Sequence, residues 1–156
     1  VANIWRLSGL KKGKVPAIDL NLEKRVQKTT LEAIEKGLVQ SAHDCSEGGL
    51  AVALTESCIS NPQKKLGAVI NLSENIRKDA LLFGESQSRI ILSAKPNNAK
   101  KILQIAKKNK TPVSVIGKVG GKKFIINRLI NISVNKLSKT WSSAIENYLS
   151  RPANKS

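Results

Sequence analysis

The sequence predicts an α+β domain in which a mixed β-sheet is layered with α-helices. Three observations carry that expectation. Apolar residues recur at helical spacing in some stretches and alternate with polar ones in other, shorter stretches. Gly, Pro and Asn mark the ends of most of these stretches. The resulting order, α-β-α-β-β-α-β-β-β-α, mixes crossovers with hairpins, as layered α+β folds do.

Residues 1–15 show no clean period and carry Gly9, Gly13 and the run Lys11-Lys12-Gly13-Lys14. They read as a linker from a preceding domain, and a chain that opens in mid-linker reads as a piece of a longer protein. Residues 16–150 are expected to form the domain, and residues 151–156 a tail. From Leu22 the positions Leu22, Val26, Ala33 and Ile34 share one helical face, with Thr30 between them, and Gly37 supplies the stop. Leu38 to His43 reads as a strand. Ser46 is placed to cap a second helix with Leu50, Ala51, Leu54 and Cys58 inward, ended by Asn61-Pro62.

Leu66–Leu72 and Arg89–Ala94 read as strands, with a helical turn over Asp79–Phe83 between them. Pro96 opens a helix in its first turn, where a missing N–H costs nothing. Its core face is Ala99, Ile102, Leu103 and Ala106, and Lys100, Lys101, Lys107 and Lys108 form a solvated face. Strands follow at Val113–Val119, Lys123–Ile126 and Ile130–Val134, with Gly120-Gly121 as a hairpin turn between the first two. An amphipathic helix closes the chain, burying Leu137, Trp141, Ala144, Ile145 and Tyr148.

The chain of 156 residues is the size of one domain and needs no disulfide or metal to fold. Aromatic residues are only 3%, so the core must be aliphatic, with Trp5, Phe83, Phe124, Trp141 and Tyr148 as isolated large pieces. The net charge of +16 raises nucleic acid as a partner, but 21 of the 27 basic residues are Lys and they are scattered in pairs. Base readout and bidentate phosphate contacts favour Arg, so no specific nucleic-acid partner is expected. The Lys, Asn and Ile content also fits an AT-rich coding bias. Cys45 and Cys58 read as reduced thiols rather than a disulfide framework. No apolar run reaches the roughly 18–20 residues that span a bilayer. No membrane partner and a cytoplasmic location are expected.

Two segments depart from ordinary packing. In Ser41-Ala42-His43-Asp44-Cys45-Ser46-Glu47-Gly48-Gly49-Leu50, two glycines sit where a helix begins, each costing about 1 kcal/mol relative to Ala. Such a turn can present N–H groups to a phosphate or carboxylate, or it can serve close strand-to-helix packing. His43, Asp44 and Cys45 lack the third and fourth ligands of a zinc site and an oriented third group for thiol chemistry, so neither a metal site nor a catalytic residue is assigned. Asp44 capping the helix, with His43 bonded nearby, is the plain alternative. In Phe83-Gly84-Glu85-Ser86-Gln87-Ser88-Arg89, four polar side chains follow a glycine, suited to hydroxyls, amides or an anion, or to an Arg89–Glu85 pair.

Taken together, the two segments resemble the C-terminal part of the phosphoribosylformylglycinamidine synthase family. Pro16-Ala17-Ile18-Asp19-Leu20, Ile116-Gly117-Lys118-Val119-Gly120-Gly121 and Trp141 extend the resemblance from about Gly13 onward. Other members of the aminoimidazole ribonucleotide synthetase-like superfamily, including that synthetase itself and selenophosphate synthetase, are the nearest alternatives. A basic nucleic-acid-binding module is the alternative of another class. The resemblance implies an aminoimidazole ribonucleotide synthetase C-terminal-domain-like fold. It also implies an ATP-dependent carbon–nitrogen ligase that converts formylglycinamide ribonucleotide and glutamine-derived ammonia to formylglycinamidine ribonucleotide.

By the same resemblance, ATP and Mg2+ are held mainly by ATP-binding-type domains that precede this one. A glutaminase subunit and a small accessory subunit are the implied partners. The chain looks like the second of two similar halves, so His43, Asp44, Ser46, Gly48, Gly49, Glu85, Ser86, Gln87 and Arg89 are expected to bind substrate or a nucleotide rather than to catalyse. The isolated chain is expected to be inactive.

Overall fold

The structure, a computed structural model, describes residues 18–150. The expected linker, the lead-in residues Pro16 and Ala17, and the tail 151–156 lie outside the described residues. The chain divides into two compact units, Val1–Ser57 with Ser73–Val115, and Cys58–Leu72 with Ile116–Ser156.

The first unit begins with α1 (Leu20–Glu35), which Asp19 caps by accepting from the Asn21 and Leu22 N–H groups. Its buried stripe is Val26, Thr29 and Ala33, with Leu22 half-buried. Ile34, expected inside, is exposed, because it stands one 100° step round the helix from Ala33. Gly37 ends the helix as expected. At φ +64° it lets Leu38 N–H reach the Ala33 carbonyl (3.0 Å) and its own N–H reach Ile34 (2.8 Å), a Schellman closure. Leu38 then joins Ala33, Ile102 and Ile105 in a core cluster with Val39, Leu92 and Ala94 against it.

β1 (Val39–Asp44) pairs antiparallel with β3 (Ile90–Ala94), setting His43 opposite Ile91 and Asp44 opposite Ile90. α2 (Gly49–Ile59) lies in this unit through Ser57, and a short α3 (Lys78–Phe83) precedes β3. α4 (Pro96–Lys108) buries Ile102, Ile105 and Ala106 and leaves its lysines exposed. Polar bonds tie α4's end to α1: Arg25 Nε donates to the Lys110 carbonyl (3.1 Å), and the Thr29 and Thr111 hydroxyls meet at 2.8 Å.

α4 ends in a second Schellman closure, Thr111 N–H to the Ala106 carbonyl, with Lys110 at φ +53° where glycine is favoured. Lys110→Gly is therefore expected to stabilise the chain by about 0.5 kcal/mol, relief of left-handed strain outweighing the added freedom of the unfolded chain. Urea unfolding measures it; a lowered midpoint would contradict the strain.

The second unit holds a four-stranded mixed sheet in the order β4-β2-β5-β6. β2 (Ala68–Ile70) runs antiparallel to β4 (Gly117–Val119) and parallel to β5 (Lys123–Ile126), which pairs antiparallel with β6 (Ile130–Ser133). Gly120-Gly121 is thus not a hairpin between neighbours, because β2 inserts between β4 and β5. The two glycines bond instead to Gly67: Gly120 N–H to its carbonyl (2.7 Å), and Gly67 N–H to the Gly121 carbonyl (2.9 Å). β2 and β4 are shorter than expected, and Val113 to Val115 form no strand. Where β2 continues past Ile70, the Asn127 side chain takes over from a strand, accepting from Leu72 N–H (2.8 Å) and donating to its carbonyl (3.0 Å).

Phe124 and Ile126 are the fully buried large side chains of this sheet. The closing helix breaks at Ser143 into α5 (Val134–Ser142) and α6 (Ala144–Leu149). Ser142 and Ser143 hydroxyls both donate to the Lys139 carbonyl, a back-bonding that bends helices. The expected buried face is corrected accordingly. Leu137 is half-buried, while Trp141, Ala144, Ile145 and Tyr148 are exposed. No described helix is long and apolar enough to cross a membrane.

Candidate functional site at two apposed loops

The two segments singled out in the sequence meet within the first unit. The Cys45 N–H donates to the Arg89 carbonyl (2.9 Å), extending the β1–β3 ladder by one bond into the turn. Gly48 and Gly49 then take φ +79° and +66°, Gly49 being the first residue of α2. A Cβ on Gly49 would lie 2.7 Å from the Gly84 carbonyl oxygen and 2.8 Å from the Phe83 carbonyl carbon. The two loops therefore touch backbone to backbone, and only glycine fits.

Glu85 crosses this contact and accepts from the Gly48 N–H at 3.0 Å. A carboxylate at the first turn of α2 satisfies one orphan N–H and complements the helix dipole. At Gly48 the acceptor is the chain's own Glu85 carboxylate. Ser46 does not cap α2 as expected. Its hydroxyl donates to the Asp44 carboxylate, and its carbonyl accepts from Gly49 N–H (3.1 Å). That hydroxyl bond is the main reason the Asp44 carboxyl is held below its usual range, and it occupies the side chain that the plain alternative assigned to the cap.

Arg89 Nη1 donates to the Gly84 carbonyl (3.2 Å), closing the second loop on itself. Ser88, at φ +63°, donates to Glu23 on α1 (2.6 Å), and this bond leads the lowering of the Glu23 carboxyl. Ser86 and Gln87 stand exposed on the same loop. The structure thus joins His43, Asp44, Ser46, Gly48, Gly49, Glu85 and Arg89 in one locality, with Ser86 and Gln87 on its open side.

Sequence reasoning missed Glu56, which lies 3.0 Å from His43 Nε2. The available signal was that Glu56 is the one charged residue in the otherwise apolar helix Gly49–Ile59. Among the described residues no three His, Cys, Asp or Glu side chains cluster to hold a metal ion.

Both cysteines are buried. Burial raises the Cys45 thiol, partly opposed by Arg89, and pushes Cys58 up to about 11. Neither thiol is expected to react with a thiol-specific disulfide reagent at neutral pH until denaturant is added. Prompt labelling of the native chain would overturn that.

Residues 1–127 match the family described as AIR synthase related protein, C-terminal domain. The chain belongs to that family. Within this C-terminal domain family, the phosphoribosylformylglycinamidine synthase subunit PurL of Moorella thermoacetica is 42% identical over 147 residues, covering 92% of this chain and 20% of its own length. The chain thus spans about a fifth of the length of the curated relatives it matches. A solved Thermotoga maritima PurL complexed with FGAR superposes with a TM-score of 0.69 at 27% identity, over 84% of this chain and 23% of that one. The same enzyme complexed with ATP gives 0.67 at 27%, over 82% and 23%. The mixed α+β fold expected from the sequence is the fold of this domain family.

Proposed function

We propose that this chain is the C-terminal domain of a phosphoribosylformylglycinamidine synthase. The synthase forms formylglycinamidine ribonucleotide, ADP and phosphate from formylglycinamide ribonucleotide, ammonia and ATP. The observation that carries the reading is 42% identity to a PurL across 92% of the chain. The apposition of Gly48-Gly49 and Glu85 supports it, since it brings to one place two motifs that the sequence holds far apart. In this reading ATP and Mg2+ are bound mainly by the ATP-binding-type domains of the same protein, which works in the cytoplasm with a glutaminase and a small accessory subunit. His43, Asp44, Ser46, Gly48, Gly49, Glu85, Ser86, Gln87 and Arg89 shape a substrate- or nucleotide-binding surface.

The test is the full-length protein that carries this chain, given formylglycinamide ribonucleotide, ATP, Mg2+ and ammonia. Formylglycinamidine ribonucleotide and ADP are expected in equal amounts, and the isolated chain in the same mixture is expected to yield neither. If the full-length protein instead closes formylglycinamidine ribonucleotide to an aminoimidazole, or phosphorylates selenide, the domain family stands and the synthase assignment falls.

A further inference from the structure

His43 is the only histidine of the chain, and both of its ring nitrogens face acceptors. Nδ1 lies 2.7 Å from the backbone oxygen of Asp44. A carbonyl oxygen can only accept, so the proton of this bond sits on Nδ1. Nε2 lies 3.0 Å from Glu56 Oε2, and an ionised carboxylate also can only accept. The contact is therefore a hydrogen bond only if one further proton lies between Nε2 and Oε2. The Asp44 carboxylate, 3.8 Å from Nδ1, adds negative charge on the ring's other side, and Ser46 holds it there. Ile91, across the ladder on β3, is apolar.

Glu56 is otherwise hard to explain. It is the sole charged residue of an eleven-residue helix whose neighbours Ala53, Leu54, Thr55, Cys58 and Ile59 are buried. A half-exposed glutamate on such a helix could turn to water, yet its carboxylate turns to the ring.

We propose that Glu56 is a positioning residue that shares a proton with His43 and so locks the imidazole across β1 and α2. Glu56 acts through His43 on the Asp44–Gly49 turn, because the ring's other nitrogen grips the carbonyl that begins that turn. His43 then orients the turn that presents Gly48 to Glu85, and its nitrogens are not open to a ligand. The proposal deepens the site reading above and rests on it only for its relevance to binding. It is tested on the 156-residue chain without substrate, so its failure and that of the assigned reaction are separable.

With one histidine, side-chain 15N spectra need no assignment. In the wild type Nδ1 is expected to donate to the Asp44 carbonyl and Nε2 to share a proton with Glu56. Glu56→Gln is expected to keep the first bond and change the second, because the amide can donate to Nε2. The backbone amide signal of Gly48 should shift with it, while that of Gly37 stays. General destabilisation would not move a ring proton in this way. Ring signals that coincide in wild type and variant would overturn the proposal. If the variant does not fold, the wild type decides alone. A through-space contact between His43 Nε2 and the Glu56 carboxyl carbon supports the shared proton, and its absence refutes it.

Discussion

Replacing Gly49 by alanine is expected to lower stability by about 3 kcal/mol, the sum of left-handed strain and overpacking. For a chain of this size that is a fall in melting temperature on the order of 10 °C. Both contributions come from the geometry: φ is +66°, and the new Cβ would meet backbone atoms of Phe83 and Gly84, which cannot swing aside as a side chain could. Gly37→Ala is the control. Gly37 has nearly the same φ, +64°, but open space around its would-be Cβ, so only the conformational cost of about 1 kcal/mol applies. Thermal melts of the two variants separate the effects. If Gly49→Ala melts no lower than Gly37→Ala, the backbone contact between the loops is not there. Loss of fold is thus expected ahead of any loss of ligand.

Phe124→Ala is expected to cost about 4 kcal/mol, in the range for a buried phenylalanine. Phe124 is 1% exposed and sits in the middle of the mixed sheet, opposite Ala68 on β2 and Ile132 on β6. The expected readout is faster amide exchange in β2 and β5 and a lower urea midpoint. Lys123→Ala, on the same strand but exposed, should leave both nearly unchanged. Equal midpoints for the two variants would mean that this face is not a packed core.

What the sequence disclosed follows the range of the interactions involved. Gly37 was legible as a helix stop because a Schellman closure is made within a few residues. The amphipathic α4 was legible for the same reason. Gly120-Gly121 was misread because the partner of both strands is β2, far away in sequence, and two glycines between two strands look local. Trp141, Ile145 and Tyr148 keep a helical period that predicts burial, but period cannot say whether this chain supplies the covering surface. At the site, the glycine pair and Glu85 were both visible as oddities. Their contact was not, because it depends on backbone meeting backbone. Ser46 was misread as a cap, since the rule for caps does not foresee a carboxylate arriving from another loop. Glu56 was legible in principle, as a lone charge on an apolar helix.

The strand pairings also constrain how the chain can be synthesised and divided. β1 must wait for β3, and β2, which leaves the ribosome between them, must wait for β4 and β5. Each sheet therefore encloses, along the chain, a strand belonging to the other. Any single cleavage from Cys45 to Ile116 separates some strand from its partner, so no such cut yields two contiguous pieces that each keep a whole sheet. Non-local pairing of this kind slows folding, because loop closure comes before its reward. During translation β2 thus keeps at least one unpaired edge until the chain is complete through β5, and in that interval the edge is open to pairing with another nascent copy.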